Sequence, residues 1–125
     1  MGMYTELYLA VELSKDVPNN IIQWLNSDGE LANAPSRIKN GFTGWDSYYF
    51  ASQPFTVFKY DDISESYFLT TVFNIKNYEN EIDFLLETLT PYIIREGHIG
   101  HTRYEEFYYP TILFFKDGKI IRWLM

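Results

Sequence analysis

Leu7, Leu9, Val11 and Leu13 alternate with Glu6, Tyr8, Ala10 and Glu12. A period of two predicts a strand with one buried face. Ser14, Lys15 and Asp16 end it, and Asp16 can cap a helix that has Pro18 in its first turn. Ile21, Ile22, Trp24 and Leu25 give that short helix an apolar stripe, and it stops near Gly29. Residues 28–47 are rich in Gly, Asn, Pro and Ser and read as a long loop of a kind that often carries function. Tyr48–Phe50 and Phe55–Tyr60 read as two short strands around Gln53-Pro54, followed by an acidic turn, Asp61 to Glu65. Ser66–Ile75 alternates again, with Tyr67, Leu69, Phe73 and Ile75 on one face.

The period then changes. Tyr78, Ile82, Leu85, Leu86, Leu89 and Ile93 recur at helical spacing behind an Asn77 cap. Glu79 and Glu81 occupy the first turn, where the helix dipole favours negative charge. Pro91 lies near the end of this helix and Gly97 beyond it. Three strands follow at Ile99–Phe107, Thr111–Phe115 and Lys119–Leu124, the last two joined by Asp117-Gly118, a type I′ hairpin signal. The order predicts an α+β fold: a two-layer α/β sandwich with a ferredoxin-like β-α-β-β-α-β core and an extra C-terminal β-hairpin. Residues 1–125 form one domain.

Composition narrows the chemistry. Aromatics make up 19% of the chain, with 11 Tyr and 10 Phe, which favours strands. Cysteine is absent, so disulfides and thiolate metal sites are excluded. No apolar run approaches the ~20 residues of a membrane helix. The N-terminus lacks a signal-peptide pattern, so a cytoplasmic, membrane-free location is expected. The net charge of -7 repels a phosphate backbone, which disfavours direct nucleic-acid binding and suits a basic protein partner.

Both histidines, His98 and His101, fall in one segment. On a regular strand, residues three apart point to opposite faces, so a shared metal is not expected. His101, Arg103 and Glu105 would share a face, with Glu105 orienting His101 and Arg103 placed to hold an anion. The commoner outcome for such a trio is a cross-strand ion pair. No P-loop, Gly-x-Ser-x-Gly, His-Glu-x-x-His or dinucleotide fingerprint is present. No catalytic residue and no cofactor is therefore expected. The other face of the first strands, with Tyr8, Phe68 and Val72 among carboxylates, needs a cover: the hairpin, the 28–47 loop or a partner.

The stretches Met3–Glu6 with Val11–Leu13, Asp46–Phe50, Lys59–Ile63, Asn77–Ile82, Arg103–Glu106 and Pro110-Thr111 resemble small uncharacterised proteins of phages and prophages of Gram-positive bacteria. The resemblance spans most of the chain. It implies a source and no chemistry.

Two functions are carried forward. The first is an acidic interaction module, a modulator or inhibitor of a host protein, binding through Asp61, Asp62, Glu65 and the Tyr8, His101, Arg103, Tyr104 and Glu105 strip. The second is a small-ligand site of nucleotide type, in which Arg103 and His101 hold phosphate and Tyr8 or Tyr104 stacks on a base. An enzyme ranks third. Self-association through the edge strand Ile120–Leu124, giving a homodimer, is a further expectation.

Overall fold

A computed structural model describes residues 4–26, 55–75 and 81–124. Its body is one antiparallel sheet of six strands: β1 (Thr5–Ser14), β2 (Phe55–Asp61), β3 (Ser66–Ile75), β4 (Gly97–Tyr104), β5 (Thr111–Lys116) and β6 (Lys119–Leu124). The strands lie in the order β2-β3-β1-β4-β5-β6. Two short helices accompany it: α1 (Asn19–Asn26, 8 residues) and α2 (Glu81–Leu89, 9 residues).

The expected α+β, ferredoxin-like two-layer sandwich is corrected by these dimensions. The protein is mainly β, and helix is a minor component. Two chemical facts shorten the helices. Asp16 does not cap α1: its carboxylate accepts the Ser14 hydroxyl and its N–H donates back to Ser14 Oγ. The helix begins only at Asn19, with the Pro18 carbonyl accepting from Ile21 and Ile22. At the other end, Pro91 lacks an N–H and crowds the preceding turn. α2 therefore gives way to a 3-10 turn over Thr90–Tyr92, and Ile93 is extended and bridges to Leu13 of β1. The expected loop at 28–47, the strand at 48–50 and the Asn77 cap lie outside the described residues.

One core cluster holds the fold together. β1 supplies Leu7, Leu9, Val11 and Leu13; β3 supplies Leu69, Phe73 and Ile75; β5 supplies Leu113 and Phe115. Ile21 and Leu25 of α1, and Ile82, Leu85, Leu86 and Leu89 of α2, are buried in the same cluster. Pairing keeps these side chains on one face, because opposed residues in an antiparallel ladder share a side: Leu7 faces Phe73, Leu9 faces Thr71 and Val11 faces Leu69. A bond between Arg122 Nη2 and Asp83 Oδ1, 2.7 Å, ties β6 to α2.

β4 departs from the predicted span at both ends. It starts at Gly97 rather than Ile99 and stops at Tyr104 rather than Phe107. Its pairing with β5 shifts between His98 and Gly100, a bulge that leaves Ile99 as the extra residue. The bulge changes which face each histidine takes. His98 opposes Phe114 and His101 opposes Ile112, and Phe114 and Ile112 share a face. Both imidazoles therefore lie on the same side of the sheet, contrary to the expectation from simple alternation.

Candidate functional site: the open face of the sheet

The face away from the core cluster carries one continuous row of side chains. Phe55 opposes Val72, Val72 opposes Tyr8, Tyr8 opposes His101, His101 opposes Ile112 and Ile112 opposes Trp123. The row takes one residue from every strand and spans about 24 Å at the usual strand spacing. Its members are exposed to an unusual degree for apolar groups: Phe55 and Trp123 are 60% exposed, Val72 37% and Tyr8 36%. Tyr8 and His101 stack at the centre, ring centroids 5.8 Å apart and nearly parallel.

Charged groups flank this row. On one side Asn74, Glu6 and Arg103 stand in register. His101 Nε2 lies 3.3 Å from Glu6 Oε1, so Glu6 orients the imidazole. The expected partner, Glu105, does not: β4 has ended, and Glu105 clasps the Tyr4 backbone through its Oε1 and its own N–H. Arg103 reaches along the chain, its Nη1 donating to the Phe107 carbonyl at 2.6 Å. Tyr104 meets the Phe107 ring edge-on at 5.5 Å.

On the other side Lys59, Phe68 and Glu12 stand in register. Glu12 is only 8% exposed although it lies on the open face. The Ser66 hydroxyl donates to its Oε2 at 2.7 Å, and Arg95 Nε lies 3.0 Å from Oε1. Its carboxylate is a fixed structural charge with both oxygens engaged.

Asp61, Asp62 and Glu65 are not gathered with the Tyr8–His101 pair. They sit at the β2–β3 turn, level with Ser14 and Ser66 at one end of the sheet. Asp61 folds this turn by accepting the Ile63 N–H and the Ser64 hydroxyl, which hold its carboxyl below its ordinary value of 3.8.

Three of the clefts lined by described residues are built without Tyr8, His101, Arg103 or Tyr104. One of them, about 470 Å³, opens beside β6 and is lined by Phe114, Phe115, Ile121, Trp123, Lys116, Glu96 and Gly97. A second, about 350 Å³, lies under the aromatic loop Phe107–Tyr109, and a third, about 160 Å³, surrounds Glu12 and Phe68. Among the described residues no three His, Cys, Asp or Glu side chains come together as a metal set. His98 meets the Phe114 ring edge-on at 5.8 Å while His101 lies on Tyr8, so each imidazole has its own aromatic neighbour.

The residues least visible from sequence are Phe55, Ile112, Phe114, Ile121 and Trp123. Their signal was the strand register: once β5 and β6 align with β4, the row extends itself. No family model, curated protein or solved structure matches this chain. Among the described residues no helix is long and apolar enough to cross a membrane.

Proposed function

We propose that this is a protein-recognition module of phage or prophage origin, acting in the cytoplasm on a host protein, with the open sheet face as its docking surface. One observation carries the proposal: a row of apolar and aromatic side chains crosses all six strands, well exposed at both ends and partly exposed at Tyr8 and Val72 in the middle. Chains that work alone seldom leave such a strip in water, and aromatic residues are enriched at interface cores. The chemistry fits a protein partner with an apolar strip and basic margins. The row supplies apolar contact, and the acidic end at Asp61, Asp62 and Glu65 with the net charge of -7 speeds encounter with a basic surface.

A nucleotide site at Tyr8, His101 and Arg103 requires a concavity that joins them. The three clefts described lie elsewhere. Arg103 donates to its own chain at Phe107, which also lends that function no support.

The experiment compares proteins captured from a host lysate by the native chain and by two variants. Tyr8→Thr with Val72→Thr removes the middle of the row while keeping residues that favour strands. Asp62→Asn with Glu65→Gln removes two charges at the turn. The row variant is expected to lose the specific partner at every salt concentration. The turn variant is expected to keep it with slower, less salt-sensitive association. Identical capture by the row variant and the native chain refutes the assignment of the face.

A further inference from the structure

Among the described residues β6 pairs only with β5, and no backbone or side-chain hydrogen bond reaches its outer side. The hairpin geometry says which groups are left over. Asp117 and Gly118 have φ of 52° and 77°, the double positive φ of a two-residue type I′ turn. Such a turn closes on a hydrogen-bonded pair, here Lys116 and Lys119. Bonded and unbonded positions then alternate along the ladder. Lys119, Ile121 and Trp123 spend their N–H and C=O groups on β5, while Ile120, Arg122 and Leu124 turn theirs outward.

We propose that two copies of this chain pair β6 to β6, antiparallel, about a twofold axis normal to the sheet, merging two six-stranded sheets into one of twelve strands. An antiparallel ladder that keeps each face continuous allows two compact registers. One centres on Arg122 and sets it against the partner's Arg122, two guanidiniums each already committed to Asp83, which gain nothing from each other. The other centres on Ile121. It sets Ile121 against the partner's Ile121, Ile120 against the partner's Arg122, and Trp123 against the partner's Lys119. This register offers every outward group of Ile120 and Arg122 a mate.

Three observations favour a second copy as the occupant. First, Lys119 and Arg122 are the kind of charges that guard an edge, yet here neither guards it. Arg122 is already held by Asp83 at 2.7 Å. In the Ile121-centred register Lys119 falls opposite the partner's Trp123, where its charge would meet an aromatic ring and not another cation. Second, Trp123 is 60% exposed, and the 470 Å³ cleft opens beside it. Lys119 pairs with Lys116 on the rim of that cleft, so the partner's Trp123 lies over its mouth. Third, β6 has no proline and no bulge to block an incoming strand. The interface uses the sheet edge and shares only Trp123 with the row proposed above, so exchange at the outward Ile120 and Arg122 amides reports on it separately.

Light scattering and amide hydrogen exchange on the full chain test the proposal. Between about 1 µM and 1 mM, a range typical of modest interfaces, the mass is expected to rise from one chain to two and stop there. Exchange at Ile120 and Arg122 should slow with concentration, while Lys119, Ile121 and Trp123 stay equally protected throughout. Trp123→Thr, which keeps the strand, should raise the concentration of half-dimerisation at least tenfold. Ile120→Pro, which removes an outward N–H, should give one chain at all concentrations. A single-chain mass up to 1 mM overturns the proposal. So does a mass growing beyond two chains, or a dimer that leaves the outward amides unprotected and is indifferent to Trp123→Thr.

Discussion

Glu12 shows how a single residue can belong to a surface by pattern and to the interior by chemistry. Alternation assigns it to the open face, where its strand neighbours Tyr8 and Ala10 also point. It is nevertheless 8% exposed, because Ser66 bonds one carboxylate oxygen and Arg95 lies over the other. Removing the carboxylate takes away the charged acceptor of the buried Ser66 hydroxyl, which keeps only Ser64 Oγ at 2.7 Å, whereas removing the guanidinium, 75% exposed, takes away little more than a screened surface charge. Glu12→Ala is expected to lower the unfolding free energy in urea by about 1–3 kcal/mol, and Arg95→Ala by under about 1 kcal/mol.

Asp61 gives a second prediction at this scale. Its carboxylate receives first the Ile63 N–H and then the Ser64 hydroxyl, so the charged form is favoured when the turn is folded. A folded value below the unfolded one means that this turn is supported above pH 4, and that the support fades as pH falls through the folded value. Titration of the Asp61 carboxyl carbon by NMR should show a midpoint below 3.8. Replacing Ser64 by Ala should move that midpoint upward.

At the scale of elements, period-two patterning located β1 and β3 and their buried faces, and Asp117-Gly118 marked the hairpin between β5 and β6. The helices were over-read. Apolar spacing continues to Ile93, but Pro91 cannot donate to the preceding turn, so α2 ends at Leu89. The bulge at Ile99 was invisible to alternation because it depends on how β4 meets β5. Its consequence is large: it moves His98 to the face that His101 already occupies. The Glu105 assignment failed for a related reason. A side chain four residues beyond His101 shares its face only while the strand continues, and β4 ends at Tyr104.

Gly100 makes the β1–β4 contact at this element scale. It opposes Leu9, and a Cβ there would overlap the Tyr8 carbonyl oxygen. Backbone cannot yield as a flexible side chain does. Gly100→Ala is expected to cost about 3 kcal/mol or more in urea unfolding, with the loss centred on β4 and β1 in amide exchange.

At the scale of the molecule, the sheet has two unlike faces, and among the described residues its edge strands β2 and β6 each pair on one side only. One face is closed by α1 and α2 through a single apolar cluster. The other shows a row of aromatic and branched side chains running from β2 to β6. Tyr8, Phe68 and Val72 were legible in sequence as groups in need of cover. The row itself was not, because it exists only once six strands are placed side by side. The acidic turn at Asp61, Asp62 and Glu65 stands at one end of the sheet and contributes charge at a distance from the row's centre.

The central claim is that this second face is an outer surface of the folded chain, available to a partner. Urea unfolding of the Tyr8→Thr, Val72→Thr double variant tests it most directly. With the face open, both replacements sit in water and the unfolding free energy should stay within about 1 kcal/mol of the native chain, as surface substitutions usually do. A loss of about 3 kcal/mol or more, the scale of truncated core side chains, would mean that Tyr8 and Val72 belong to a second core, and would contradict it.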